Sequence, residues 1–337
     1  MSLSSFVALN VLRAVGEETR LRIVALLQHG ELTVSDLTDI LGQTQPRISR
    51  HLKLLAEAGV VDKHREGTWA FFDLAKHGAI GALVADLVGG IDPLDAVLAA
   101  DLDRLALVRE RRATNARDYF AGIADSWDTV RSLHAPDEMV EAAIVETVGT
   151  TPYTSLLDLG TGTGRMLELL VGDDVQRAVG LDNSHSMLAV ARSRLERCEV
   201  RRVDLRQGDI YSPPFEPGSF DLVVIHQVLH FLDDPGRAVR ESARLLTGGG
   251  RLLIVDFAPH SLEFLRTGHA HRRLGFRDDA VEAWLAHAGL DLTTTRVVAP
   301  PDGDHTGAER LTVRLWLAER KALDAAGADL RHRNAPA

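Results

Sequence analysis

The stretch Leu156-Leu157-Asp158-Leu159-Gly160-Thr161-Gly162-Thr163-Gly164-Arg165 constrains the fold more than any other part of the chain. It reads as a strand, a glycine-rich turn and the start of a helix. Glycines at alternate positions let the backbone take positive φ and approach a ligand closely. Dinucleotide and phosphate sites share such a turn, so the glycines alone do not choose the ligand. Around the turn, strand-like runs alternate with helical ones: SLLDLG, RAVGLD, VRRVDLRQGD, FDLVVIH and RLLIVDF. That alternation predicts a parallel sheet wrapped by helices.

Acids at three strand ends narrow the ligand. Asp158 precedes the glycines, where a carboxylate suits an ammonium group rather than a pyrophosphate. Asp182 ends the next strand, the position at which an acid binds ribose hydroxyls. After the third strand, Gly208-Asp209-Ile210 offers a polar–apolar pair for an adenine edge and face. Each acid taken singly also reads as a helix cap or a solvated strand end.

The N-terminal third has a different texture. Phe6, Leu9 and Leu12, then Leu21, Val24 and Leu27, fall at helical spacing, with Gly16 between two helices. Leu32 to Leu41 reads as a short helix stopped by Gly42. Thr44 is the expected N-cap of the next helix, with Pro46 in its first turn, and Gly59 closes it. Ile48, Leu52, Leu55 and Ala56 are expected inside. Gln45, Arg47, Ser49, Arg50 and Lys53 are left outside, side chains able to bond base edges and phosphates. VVDKHREGTWAFFDL alternates about Glu66-Gly67 and predicts a hairpin, whose Lys63, His64 and Arg65 suit phosphates. Three helices followed by a hairpin make a winged helix-turn-helix. Residues 75–117 read as helix-rich, a connector or dimer-forming element, or an ordinary amphipathic helix packed on its own domain.

Residues 12–74 closely resemble the ArsR/SmtB family of bacterial repressors, through EETRLRIVALL, ELTVSDLTDILGQTQPRISRHLKLLAEAGVV and REGTWAFFDL. The resemblance implies a homodimer, joined through its terminal helices, on an inverted-repeat operator in double-stranded DNA. It places Thr44, Gln45, Arg47, Ser49, Arg50, His51 and Lys53 at the groove, with Lys63 and Arg65 beside it. The family's arsenic sensors carry cysteines where this chain has Thr33 and Ser35, and hydroxyls do not replace thiolates for a soft metal. Its zinc sensors use Asp, His and Glu on the C-terminal helix, and the helices expected around 79–87 and 94–111 hold no histidine. No metal site is therefore expected.

Residues 113–320 resemble the class I S-adenosylmethionine-dependent methyltransferases, through LLDLGTGTGR, VGLDNSHSML, QGDIYSPPF, FDLVVIHQVLHFLDDP and ARLLTGGGRLLIVDF. The resemblance implies a Rossmann-like domain with a mostly parallel seven-stranded sheet, completed by strands near 290–298 and 310–317. The implied cofactor is S-adenosylmethionine or S-adenosylhomocysteine. Asp158, Gly160, Thr161, Gly162 and Gly164 would border its methionine part. Asp182 would hold the ribose, Gly208, Asp209 and Ile210 would lie at the adenine, and Asn183 and Met187 are further cofactor-binding candidates. His226 and Gln227 would sit near the sulfonium, and Tyr119 and Trp127 would close the site from a helical lid in 113–150. His226 is the candidate base if the acceptor has a proton to lose, with His230, His269 and His271 as weaker candidates.

The expected organisation is therefore a multidomain chain. An α+β winged helix-turn-helix domain spans 1–112, an α/β methyltransferase-like domain spans 113–320, and a tail follows at 321–337. A length of 337 residues fits two domains. A net charge of −10 excludes a generally basic surface and leaves room for a local basic face. Cys198 is the single cysteine, so neither an intrachain disulfide nor a thiolate cluster for arsenic, zinc or iron–sulfur can form. The first twenty residues lack a signal-peptide pattern, and no apolar run reaches the ~20 residues of a membrane span. A cytoplasmic protein with no membrane contact is expected. Three functions stand at this point. One is a DNA-binding regulator with the adenosyl ligand as effector. Another is a methyltransferase for a small metabolite that carries its own regulatory domain. In a third, the N-terminal domain serves only for dimerisation, which the basic recognition helix argues against.

Overall fold

The computed structural model describes residues 3–66, 69–75, 78–92, 94–123, 136–198, 200, 203–300 and 311–321, with the side chains of 66, 112, 113 and 115–123 outside that set. The chain divides into two compact units, Met1–Ala116 and Arg117–Ala337.

The first unit is built from α1 (Ser5–Val15), α2 (Glu18–Leu27), β1 (Leu32–Thr33), α3 (Val34–Leu41), α4 (Gln45–Glu57), β2 (Val61–Glu66), β3 (Trp69–Leu74), α5 (Gly78–Gly89) and the long α6 (Ala96–Ile123), which crosses the division between units. Its core is the one expected: Ile48, Leu52 and Leu55 of α4 are fully buried against Ile23, Val24, Leu37 and Ile40. Sequence reasoning placed Leu32 and Thr33 inside a helix. They instead form a short strand on β3, with Leu32 opposite Phe72. Thr33 is extended and caps α3: its hydroxyl accepts from Asp36 N at 3.2 Å, while Asp36 Oδ2 accepts from Thr33 N at 2.9 Å. Thr44 does stand at the N-cap of α4, yet its side chain makes no capping bond. The helix start rests instead on backbone bonds from Arg47 N and Ile48 N to Thr44 O.

The sheet of the second unit runs from β4 (Ser155–Leu159) through β5 (Arg177–Asp182), β6 (Val203–Gln207), β7 (Phe220–His226) and β8 (Leu246–Phe257) to β9 (Leu290–Val298) and β10 (Val313–Arg320). Among the described residues it is seven-stranded, in the order β6-β5-β4-β7-β8-β10-β9, with only β10 antiparallel to its neighbours. This is the Rossmann-like methyltransferase sheet the sequence predicted, here with β10 inserted beside β8. Helices α7 (Asp137–Val148), α8 (Arg165–Leu170), α9 (His185–Arg197), α10 (Pro235–Leu245), α11 (Phe264–Gly268) and α12 (Asp278–His287) complete the unit. Two apolar layers cover the two faces of the sheet, one containing Leu156, Val224 and Val255, the other Leu157, Val223 and Ile254. Alternate residues of each strand thus enter opposite layers. Of the lid expected over 113–150, the helix α7 is core instead: Val140, Ile144 and Val148 are buried in the first layer, and residues 124–135 lie outside the described residues. The strand order reverses between β4 and β7, and ligands of such sheets bind outside the strand ends at that point.

Candidate functional site

The glycine turn after β4 is held in place by the end of β5. Gly160 N and Thr161 N both donate to Leu181 O, at 2.7 and 3.0 Å. Gly160, Gly162 and Gly164 all take positive φ, the first two at +77° and +52°. A Cβ on Gly160 would stand 2.4 Å from Val228 Cγ2, so the segment following β7 packs directly on the turn. A Cβ on Gly162 would meet nothing within 4 Å, which leaves the turn open there.

Three of the predicted polar groups converge on this turn. Asp158 is 1% exposed. Its Oδ2 accepts from the Thr161 hydroxyl at 2.6 Å, and its Oδ1 has no hydrogen-bond partner among the described residues. Burial pushes its carboxyl up to about 7; the charge of Asp182 acts in the same direction and the Thr161 hydroxyl opposes it. Asp182 is half-buried. Its Oδ2 accepts from Gly162 N and its Oδ1 from Ser184 N, both at 2.8 Å. Burial raises its carboxyl too, opposed by those backbone donors. A carboxylate oxygen has a second lone pair, so this fixed group still accepts from a vicinal diol.

The remaining residues lie around the same edge. Gly208 N donates to Asp182 O at 3.0 Å, and Gln207 Nε2 donates to Asn183 O at 3.0 Å, which binds the third strand end to the second. Asp209 is exposed and accepts from Tyr211 N at 2.9 Å, while Ile210 is half-buried beside it. Met187 is buried at 2% and its N–H bonds the Ser184 hydroxyl that caps α9, so it supports the site from the core. His226 is half-buried at the end of β7. Gln227 is buried with φ +54°, a conformation that costs a residue other than glycine about 1–2 kcal/mol. Its N–H bonds Val255 O at 2.7 Å, joining the ends of β7 and β8. Tyr119 belongs to α6, with its side chain outside the described set, and Trp127 lies outside the described residues.

In the first unit, Thr44, Gln45, Arg47, Ser49, Arg50 and Lys53 all project from α4 into solvent. The sequence pattern therefore sorted that helix correctly, with one exception. His51 turns inward, with 12% of its side chain exposed and its Nδ1 3.5 Å from Glu17 Oε2, next to α2. Its register puts it one residue before buried Leu52, on the flank of the apolar stripe, so its ring serves the helix packing. Burial lowers its pKa, and Glu17 opposes that shift. Lys63, His64 and Arg65 lie exposed along β2; the Lys63 ammonium stands 5.7 Å from the Phe72 ring. Gly67, at the predicted turn, is outside the described residues.

Sequence reasoning missed two buried acids. Asp101 of α6, 1% exposed, takes a two-pronged bond from Arg22, Nε to Oδ2 at 2.7 Å and Nη2 to Oδ1 at 2.8 Å, with Arg104 also at 3.0 Å. Asp256, near the end of β8, pairs with His230. Each partner is distant along the chain, so neither pairing left a local signal.

Comparison with known proteins agrees with this division. Residues 17–63 match the family model of the bacterial regulatory protein, arsR family, and residues 157–254 match that of the methyltransferase domain. The chain therefore carries an ArsR-type helix-turn-helix followed by a methyltransferase-type domain. An uncharacterised 37.1 kDa transposon protein of Streptomyces fradiae is 31% identical over 162 residues, 45% of this chain and 46% of its own length. Demethylmenaquinone methyltransferase of Desulfitobacterium hafniense is 30% identical over 164 residues, 47% of this chain and 64% of its own. The chain thus spans about half to two thirds of these relatives. Among solved structures, the 1,6-didemethyltoxoflavin-N1-methyltransferase of Burkholderia thailandensis, with 1,6-didemethyltoxoflavin and S-adenosylhomocysteine bound, shares the fold of the second unit. It shows a TM-score of 0.50 at 19% identity, covering 63% of this chain and 90% of its own. Among the described residues no helix is long and apolar enough to cross a membrane.

Proposed function

We propose that the protein is an ArsR-type DNA-binding transcriptional regulator whose methyltransferase-type domain binds S-adenosylmethionine or S-adenosylhomocysteine as effector. The observation that carries the ligand is Asp158. A buried carboxylate oxygen without a partner, beside an open glycine turn, is costly unless a donor reaches it. The α-ammonium of the ligand's methionine part is such a donor, while Asp182 takes the ribose hydroxyls and Asp209 and Ile210 flank the adenine. Gly160, Thr161, Gly162 and Gly164 border the methionine part, and Asn183, Gly208, His226, Gln227, Tyr119 and Trp127 complete the surroundings of the ligand.

The DNA reading rests on the exposed row Gln45, Arg47, Ser49, Arg50 and Lys53, on a helix whose apolar side forms the core. Lys63 and Arg65 of the hairpin add phosphate contacts. Phe6, Leu9 and Leu12 of α1, exposed at 72%, 50% and 46%, support a homodimer on an inverted-repeat operator. The functional domains are 1–112 and 113–320, with a tail at 321–337. No metal takes part: Thr33, at a family thiolate position, is occupied as a helix cap.

A regulator of this kind needs the ligand to favour one DNA-binding state over the other, a coupling typically of about 1–3 kcal/mol, or 5–150-fold. The test is a gel-shift titration on the protein's own upstream region with each ligand in turn. One ligand is expected to change operator affinity within that range. Calorimetry showing no heat with either ligand would end the effector reading. A second reading, methyl transfer to a small metabolite, is favoured by the likeness to the demethylmenaquinone methyltransferase over 164 residues, with half-buried His226 at the end of β7 as the candidate base. Methyl transfer together with a footprint unchanged by both ligands selects it.

A further inference from the structure

The two halves of the glycine turn are held by different means. Gly160 N, Thr161 N and Gly162 N bind the first half to the end of β5, through Leu181 O and Asp182 Oδ2. The second half is met by charged side chains of α7, α8 and α9. Arg165, the first residue of α8, meets Glu141 of α7 as a fork: Nε donates to Oε1 at 2.7 Å and Nη2 to Oε2 at 2.6 Å. Its third nitrogen, Nη1, is 2.7 Å from Oε2 of Glu168, one turn along the same helix. Arg194 of α9 reaches that oxygen too, with Nε at 2.8 Å, and its Nη1 donates to the Thr163 hydroxyl at 3.3 Å. The Cys198 thiol donates to the other Glu168 oxygen at 3.3 Å. The circuit Arg165–Glu168–Arg194–Thr163 therefore starts and ends on the turn, with only Gly164 between its ends. A Cβ on Gly164 would stand 3.2 Å from Ala191 Cβ, so α9 lies against the turn at that point.

The circuit is charged and largely shielded. Glu141 and Thr163 are buried, and Arg165, Glu168 and Arg194 are half-buried. Burial raises the Glu168 carboxyl, but the donors on Arg165, Cys198 and Arg194 outweigh it and hold the group below its ordinary value. Glu141 is the main cause of the raised value of the Arg165 guanidinium. Withdrawing such charges from water offsets most of their attraction, and apolar groups of similar volume often serve stability as well. What a fork between guanidinium and carboxylate adds is direction, because two parallel bonds fix both position and angle.

We propose that Arg165 and Arg194 are positioning residues for the adenosyl ligand: with Glu141 and Glu168 they fix Thr163 to Arg165 before the ligand arrives, and so set the affinity for its methionine part. The inference rests on the reading in which Gly160 to Gly164 border that part. Asp182, Asp209 and Ile210, which take the ribose and the adenine, belong to the ends of β5 and β6 instead. A ligand with the amino-acid part gains from an ordered turn, and a ligand without it does not. The circuit is thus a selectivity device, and its charges serve the geometry of the turn more than the stability of the unit.

Calorimetry of the full chain with S-adenosylhomocysteine and with 5′-methylthioadenosine tests this. The second compound keeps the adenine, the ribose and the sulfur and lacks the amino-acid part. The variant is Glu141→Met with Arg165→Met, in which Glu168 keeps Arg194 as partner. It is expected to bind S-adenosylhomocysteine about tenfold more weakly, a shift of 1.4 kcal/mol, with 5′-methylthioadenosine within about threefold. Hydrogen exchange without ligand reads the turn directly. The Gly164 amide, bonded to Thr161 O, should exchange about tenfold faster, and the Gly208 amide, bonded to Asp182 O, at its former rate. An unchanged affinity for S-adenosylhomocysteine, an equal loss for both compounds, or equal acceleration of both amides overturns the proposal. Where 5′-methylthioadenosine binds too weakly to measure, the two amides decide. If the double variant does not fold, Arg194→Lys, which keeps the charge and loses the nitrogen on Thr163, is read in the same way. No heat with S-adenosylhomocysteine in the unaltered chain is a separate result: it ends the adenosyl reading, and this proposal with it.

Discussion

The two units present their functional groups in opposite ways. The first keeps them in water: Gln45, Arg47, Ser49, Arg50 and Lys53 are exposed on a helix that buries Ile48, Leu52 and Leu55. The second withdraws them. Asp158 is buried, with one oxygen unbonded among the described residues. The contrast follows from the partners. A phosphate backbone is met by solvated, mobile cations that release counterions on contact. A small ligand of a few polar atoms gains selectivity from dry acceptors fixed before it arrives. In the first unit the burial of His51 therefore marks packing, and in the second the burial of Asp158 beside the open glycine turn marks the site.

The largest effect should separate the units outright. Arg47→Ala with Arg50→Ala is expected to weaken operator binding by roughly 2–6 kcal/mol, at about 1–3 kcal/mol for each contact, and to flatten its salt dependence. Calorimetry should find S-adenosylhomocysteine binding unchanged; loss of both activities together would show that α4 supports the fold of more than its own unit. Next comes Gly160→Ala. Collision with Val228 and the positive φ predict a loss of about 2–5 kcal/mol in the second unit, by overpacking and backbone strain. Hydrogen exchange should then show weakened protection in β4 and β7 with that of α4 intact.

Asp158→Asn should lower the affinity for S-adenosylhomocysteine by about 1–3 kcal/mol, the cost of losing a charged hydrogen-bond partner. Its pH dependence sharpens the point. The folded carboxyl stands at about 7, above its unfolded value, so the folded chain without ligand holds the extra proton. That group costs stability as pH rises from ~4 to ~7, and the cost is complete above 7. An ammonium ligand requires the ionised form, so its affinity should rise with pH up to about 7 and then level. A flat profile in the unaltered chain, or the same slope in Asp158→Asn, would assign the ligand contact elsewhere. The smallest effect is expected at His51. Because its ring faces Glu17, His51→Ala should change operator affinity by less than about threefold, or about 0.7 kcal/mol. A loss as large as that of Arg50→Ala would mean that the ring turns outward on DNA.

Local pattern carried much of this into the sequence. The stripe of Ile48, Leu52 and Leu55 has the helical period, the runs ending at Asp158 and Asp182 have the texture of buried strands, and Gly160 to Gly164 mark the turn between them. Each signal spans a few residues, so composition and spacing expose it. The errors fell where two distant segments decide together. Leu32 and Thr33 are a strand because Phe72 lies opposite, and nothing within 32–41 announces that. The helix 137–148 was taken for a lid because its share in the sheet's core depends on strands that come later in the chain.

The sequence by itself determined the two domain classes, the seven strands, the glycine turn and the acids at the strand ends, because hydrophobic period and turn chemistry are local properties of a chain. Tertiary structure alone decided which polar groups are satisfied. Asp101 finds Arg22, Asp256 finds His230, and one oxygen of Asp158 finds no partner among the described residues. Burial and pairing depend on groups brought together from far along the chain, and those two quantities turn an ordinary aspartate into a candidate ligand site.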